Sequence, residues 1–218
     1  VVKVKGTLIL SVLTLLLLLT GCGTNPAETM YGHLEKAVVM EEIFEQQQEP
    51  LVEAEIQEHE LYEEIIMLGM TDIDKIVSLS QEAISLVDKR QQLIDKEKMS
   101  IESSYEEFMK VEEFISKLDE GSPQELAIEL QASMTNRFES YQSLYNQYSE
   151  ALSLDRELYE MLQSEELTID DLQEQIDKIN ESYQGVSNLK EEFNENTELY
   201  NQTKKEFYET TGIEVQYN

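Results

Sequence analysis

The sequence predicts an all-α protein, an elongated up-and-down four-helix bundle with coiled-coil-like packing. Three observations carry that reading. Apolar residues recur at a sustained three-four spacing, the seam of left-handed helix packing. Only three short breaks interrupt the pattern, so each segment between them runs about forty residues or more, a rod of about 60 Å at 1.5 Å per residue. The chain of 218 residues has three prolines, eight glycines and no tryptophan, which suits long helices rather than a turn-rich β protein.

The first residues follow a different rule. Lys3 and Lys5 give a short basic start, and the stretch from Thr7 to Thr20 is apolar apart from Ser11 and its threonines. That length is typical of a signal-peptide core and falls short of the roughly 17 to 25 residues a spanning helix needs. Leu19-Thr20-Gly21-Cys22 has the form of a bacterial lipobox, with small residues ahead of a thiol nucleophile that can take a diacylglyceryl group. Cys22 is the one cysteine of the chain, so it has no disulfide partner. Residues 1–21 therefore read as a lipoprotein signal peptide, 22–28 as a short linker, 29–210 as the bundle and 211–218 as a C-terminal tail. Acyl chains contribute about 0.8 kcal/mol per buried methylene, so palmitate-type chains on Cys22 would anchor the protein durably. At roughly 3.3 Å per extended residue, the bundle would start within about 20 Å of the bilayer. No other segment reads as membrane-spanning.

The first helical segment is the weakest. Met40, Ile43, Phe44, Leu51, Ala54, Leu61, Ile65 and Leu68 hold an apolar face diluted by glutamines and acids. Gly69 can end it, and Thr71 and Asp72 can cap the next helix. In the second segment Ile73, Ser80, Val87, Ile94, Ile101, Phe108 and Ile115 recur every seven residues, with Ser80 the polar exception. The companion row, Ile76, Ala83, Arg90, Glu97, Ser104, Val111 and Leu118, turns polar in its middle. Gly121 can stop this helix; Ser122, Pro123 and Glu125 then offer an N-cap, an N1 proline and a capping box.

The third segment presents Leu126, Leu130, Met134, Phe138, Tyr141, Tyr145, Tyr148, Leu152, Tyr159 and Leu162. Thr168 is the N-cap expected for the fourth, with Asp170 and Asp171 favoured by the helix dipole in its first turn. Leu172, Ile179, Val186, Phe193, Tyr200 and Phe207 then form an unbroken heptad row, supported by Ile169, Ile176 and Tyr183. Phe193 belongs in the core, and Glu191 and Glu192 beside it should face water. Short connectors make successive helices antiparallel neighbours.

Sixteen basic and 46 acidic residues become 14 and 46 once residues 1–21, with their two lysines, are removed. The mature charge is then 14 − 46 = −32. That excludes nucleic acid, whose phosphates need a basic footprint, and lying flat on an anionic leaflet. So many acids read first as a solvated surface that keeps the protein a soluble monomer.

No catalytic constellation emerges. His59-Glu60-Leu61-Tyr62-Glu63 begins like a zincin helix but has Glu63 where the second histidine must stand. Bundle di-iron sites need Glu-x-x-His, and Met30 and Ile56 precede His33 and His59 at that spacing. There is no glycine-rich phosphate loop, and acids are too abundant to single out a pair. The expectation is a non-enzyme without cofactor or metal. The polar patch Arg90, Glu97, Lys98 and Ser104 reads as a layer that fixes helix register, with a ligand cavity as the alternative. Tyr141, Tyr145 and Tyr148 lie on adjoining turns and are the candidate binding surface, an aromatic platform for sugar rings. The favoured reading of the same three residues is a bundle seam with buried rings and hydroxyls at the edge.

The stretch MEEIFEQQQEPLVEAEIQEHELYEEIIMLGM (residues 40–70) with DKIVSLSQEAISLVDKRQQLIDKEK (74–98) resembles the YkyA-type cell-wall-binding lipoproteins of Gram-positive bacteria. The lipobox, the length and the acidic helical body extend that resemblance over nearly the whole chain. It implies a lipid-anchored protein at the outer face of the cytoplasmic membrane, with a helical body and a wall-binding role. The one functional residue it carries over is Cys22.

Two functions fit. The first is a non-catalytic rod that engages peptidoglycan or its neutral glycan; polyanionic teichoic acid would be repelled at −32. The second is a scaffold that docks a basic or membrane-embedded protein partner, its acids steering association. Cys22→Ala should block incorporation of radiolabelled palmitate and leave an unprocessed precursor. Label in the mutant at mature size would refute the lipobox.

Overall fold

The computed structural model describes residues 25–69 and 72–215; Cys22 and the signal segment lie outside them. Helix α1 spans Pro26–Met40, α2 Glu42–Leu68, α3 Ile73–Phe108, α5 Ser122–Met161 and α6 Ile169–Thr211; a 3₁₀ turn, Met109–Val111, and the short α4, Glu112–Ile115, extend α3. Among the described residues there is no strand, and no helix is long and apolar enough to cross a membrane. The elements form a four-rod bundle: α1 with α2 rises, α3 with α4 descends, α5 rises and α6 descends. At 1.5 Å per residue α6 is about 65 Å long. Both ends of the described chain sit at one end of the bundle, where the ring of Tyr31 meets that of Tyr208 edge-on.

Local chemistry sets most of the boundaries. Asn25 caps α1 by accepting from the Ala27 amide, and Pro26 starts the helix where its missing N–H costs nothing. Three residues assigned to the linker are therefore helical. Gly69 (φ 56°) ends α2, Asp72 caps α3 through the Lys75 amide, and Thr168 caps α6 through the Asp171 amide. At the middle turn the cap moves by one position. Gly121, at φ 103°, takes the N-cap place, and Ser122 is already helical with no capping bond from its side chain.

The first rod is broken at Glu41 by a side chain from its neighbour. Ser100 of α3 donates its hydroxyl to the Met40 carbonyl at 2.6 Å and accepts from the Phe44 amide at 3.1 Å. It stands in the place of the Phe44-to-Met40 helix bond, and a side chain inserted into that ladder breaks a helix. Pro50, inside α2, leaves the helix running on to Leu68. The break changes the phase of the rod. Ile43, expected on the inner face, is turned to solvent, while Gln47 and Glu58 are buried.

The heptad rows of α3 face inward, and so do Val186, Phe193, Tyr200 and Phe207 of α6. Ile169 is the exception on α6: as the helix's first residue it projects beyond the bundle, 86% exposed. Three apolar clusters fill the interior. One lies at the terminal end around Phe108 and Phe207, one mid-rod around Phe193, and one at the far end around Val87 and Leu152. The helices pair as α2 on α3 and α5 on α6, joined through α3 on α5. The α2–α6 side is the loosest, and backbones barely approach there.

Phe193 is 6% exposed and meets Phe44 and Tyr141 edge-on. Phe193→Ala should cost about 3 to 5 kcal/mol in denaturant unfolding. Glu191→Gln, on the wet face, should change stability by less than about 0.5 kcal/mol. Equal effects from the two would contradict this core.

Candidate functional site

Buried polar residues, some in the heptad rows and some beside them, make a ladder of layers through the core. Nearest the termini, Glu107 holds His33 at 2.9 Å, Lys36 at 3.1 Å and Lys110 at 2.5 Å. Hydrogen bonds from Lys110 and His33 pull its carboxyl down to about 2. In the next layer Arg137 of α5 grips Glu41 with two parallel bonds of 2.8 and 2.7 Å and donates through Nε to Thr197 of α6. Ser104 donates to the same Glu41 carboxylate at 2.8 Å. A two-pronged guanidinium–carboxylate bond of this kind is both strong and directional.

The third layer is Glu97, buried, with Gln48 donating to it at 2.7 Å. Burial, helped by the Glu55 carboxylate, pushes its pKa up to about 7. The mid-rod patch expected from Arg90, Glu97, Lys98 and Ser104 is thus three separate layers. Lys98 belongs to none of them and lies at the edge with its ammonium 4.4 Å above the Tyr145 ring.

The fourth layer is the candidate site. Arg90 of α3 is 3% exposed. Its Nη1 donates to Glu58 at 2.6 Å and to Asp155 at 3.1 Å; its Nη2 donates to Tyr148 and Tyr183, both at 2.7 Å; and its Nε reaches Tyr148 at 3.1 Å. The two hydroxyls pass the chain on, Tyr148 donating to Glu55 and Tyr183 to Asp155. A guanidinium keeps its charge and all its donors at any accessible pH, so it can be buried only where acceptors converge. Burial raises the pKa of both Glu58 and Asp155, and Arg90 pulls each part of the way back.

Above this cluster, on the loose α2–α6 side, opens a cavity of about 470 Å³. Glu55, Glu58, His59 and Tyr62 of α2 form one wall, and Ile176, Ile179, Asn180 and Tyr183 of α6 the other. Arg90, Asp155, Leu158 and Tyr159 make the floor. Both walls repeat at three-four spacing, so the cleft runs along the rod for about two turns. It combines aromatic rings and aliphatic carbons with carboxylate, amide and imidazole groups. Among the described residues no group of histidines, cysteines and acids is placed to hold a metal ion.

Tyr141 and Tyr148, the seam residues whose alternative was an exposed platform, are 2% and 9% exposed, and Tyr145 is half-buried with its hydroxyl on Asp95 at 2.8 Å. The three rings form no outer surface, because α5 turns that face onto α3. Of the three, Tyr148 joins the Arg90 cluster. Sequence reasoning missed Glu58, Asp155 and Arg137, and it placed Tyr183 in the seam without its bonds to Arg90 and Asp155. Asp155 sits seven residues after Tyr148 and seven before Leu162, a charge at a seam position, and that was the available signal.

A family model named YkyA and described as "Putative cell-wall binding lipoprotein" matches residues 25–210. The chain is 38% identical over 200 residues to an "Uncharacterized lipoprotein YkyA" of Bacillus subtilis (strain 168), with 91% of this chain and 90% of that one covered. A crystal structure of a conserved protein of unknown function from Staphylococcus aureus superposes with a TM-score of 0.67 at 17% identity, over 86% of this chain and 91% of that chain. At that identity the likeness is one of fold alone.

Glu97 makes the core sensitive to pH. Its pKa is raised on folding, so its contribution is present below about 4.5, declines as pH rises, and is lost above about 7. The decline amounts to about 3 kcal/mol. Glu97→Gln should flatten the fall in melting temperature between pH 5 and 8 and be the more stable protein at pH 8. A difference between the two that is constant across that range would refute it.

Proposed function

The chain belongs to the YkyA family, and we propose that it is a lipid-anchored protein at the outer face of the cytoplasmic membrane whose helical body binds peptidoglycan through the Arg90 cleft. Lipid on Cys22 would hold it in place. The observation that carries the reading is the cleft, the place where tyrosine rings, an amide and carboxylates converge on an open volume of about 470 Å³, within the range of small-ligand sites. Tyr62 and Tyr183 offer faces for the apolar side of a pyranose. Asn180 and Glu55 offer polar partners, and acids suit an ammonium group on a wall peptide better than any phosphate. A pocket lined mainly by apolar atoms with few convergent polar groups is the usual form of a small-ligand site.

The role is binding rather than catalysis. Glu58 and Asp155, the two buried acids of the cleft, are both held by Arg90. Their oxygens are engaged by Arg90 and, for Asp155, by the Tyr183 hydroxyl as well, so they hold the cluster together rather than stand free to move a proton. The position also suits a wall-facing protein. From Tyr183 to the end of α6 is about 42 Å at 1.5 Å per residue, so the cleft opens well above the end at which the lipid would attach.

Co-sedimentation of a soluble form starting at Asn25 with purified sacculi tests this. Binding should rise when teichoic acid is stripped, because the polyanion repels a body of this charge. Tyr62→Ala and Asn180→Ala, which leave the Arg90 bonds in place, should together weaken binding at least tenfold with an unchanged melting temperature. Undiminished binding would remove the cleft from the proposal.

A further inference from the structure

The outer face of the first rod carries a second feature, unrelated to the cleft. Of the eleven exposed large hydrophobic residues among those described, seven lie on α1 and α2: Val38, Val39, Ile43, Val52, Ile56, Ile66 and Met67. Helices α5 and α6, together twice as long, carry three. Val52 and Ile56 are 52% and 55% exposed and stand one turn apart, opposite the buried Ala54 and Glu58. Acids flank them on both sides, Glu49 and Glu53 near Val52 and Glu60 beyond Ile56, in a shallow surface depression with Gln48 and Gln57.

These acids have no counter-charge of their own. No lysine or arginine stands between Lys36 and Lys75. Along this face Glu53 is bonded only to Gln57, whereas α6 answers its acids with pairs such as Lys178–Glu174. An exposed Val–Ile step inside an all-acidic frame is complementary to one kind of surface: apolar residues at the same spacing, framed by cations. A second copy of this chain would bring a second acidic frame, and an anionic membrane would repel it.

From this complementarity we propose that the outer face of α2 at Val52 and Ile56 docks a basic amphipathic helix of a partner protein. The partner presents aliphatic residues at i and i+4 against Val52 and Ile56, with lysines or arginines reaching Glu49, Glu53 and Glu60. This is a protein interface, and it stands or falls apart from wall binding by the cleft on the adjoining side.

The test uses the full-length lipidated chain in nanodiscs of zwitterionic lipid. The probe is a fluorescent 18-residue leucine–lysine peptide patterned as an amphipathic helix, with a scrambled peptide of identical composition beside it. The patterned peptide should bind at least tenfold tighter than the scrambled one. Val52→Ser with Ile56→Ser should abolish that preference without moving the melting temperature, while Ile128→Ser with Leu199→Ser, on α5 and α6, should leave it intact. Equal binding of both peptides, or a preference that survives the Val52/Ile56 change, would overturn the proposal. So would a dimer of the chain, seen by sedimentation, that the same double substitution dissolves.

Discussion

A buried guanidinium fixes the arrangement of the rods. Arg90 cannot shed its charge, and its donors are satisfied from three directions: Glu58 on α2, Tyr148 and Asp155 on α5, Tyr183 on α6. Each partner lies on a different helix from Arg90 itself, so all four rods meet in one plane. Sliding α2, α3 or α5 by a turn would strand a charge in the interior, at a cost of several kcal/mol, and sliding α6 would take the Tyr183 hydroxyl from Arg90 and Asp155. Apolar heptads alone tolerate such slips, since one aliphatic layer resembles the next. The Arg137–Glu41 pair does the same work nearer the termini and is joined to α6 through Thr197 and through the rings of Phe193 and Tyr200, over which the guanidinium lies. Together the two arginines turn a repetitive seam into one with a single register.

The break in the first rod follows from the same logic. Glu41 must turn inward to meet Arg137 and Ser104, and an unbroken helix would give it no freedom to do so. Ser100 supplies that freedom by taking over one backbone bond on each side of the gap. Beyond the gap α2 runs in a new phase. Ala54, Glu58 and Ile65 face the core, and Val52 and Ile56 face out. The cleft and the outer apolar step on α2 both depend on that phase.

Much of this architecture was legible in the chain. The heptad rows of α3 and α6, the stop at Gly69 and the cap at Thr168 are local signals, read from neighbours within a turn or two. What was hidden depends on pairing over distance. Arg90 meets Glu58 across 32 residues and Asp155 across 65, and in a chain with 46 acids no single carboxylate announces its partner. Ile43 was misplaced because the break that rotates it is made by a serine on another helix. The tyrosines of α5 were legible as aromatic and periodic, and only the packing of α3 and α6 around them decides that they face in.

The break at Glu41 also has a mechanical meaning. A load drawn between Asn25 and the Arg90 cleft runs along α1, which leans on α3 and is tied to it through His33 and Lys36 on Glu107, and along the backbone into α2. Up to Met40 that path is an intact helix, stiff under tension. At Glu41 the helical bond gives way to a serine hydroxyl and a salt bridge borrowed from the neighbouring rods. Pulled from its base, the first rod would therefore be held at that joint by its neighbours, and the load would spread below the cleft into α3 and α5 instead of passing up one helix.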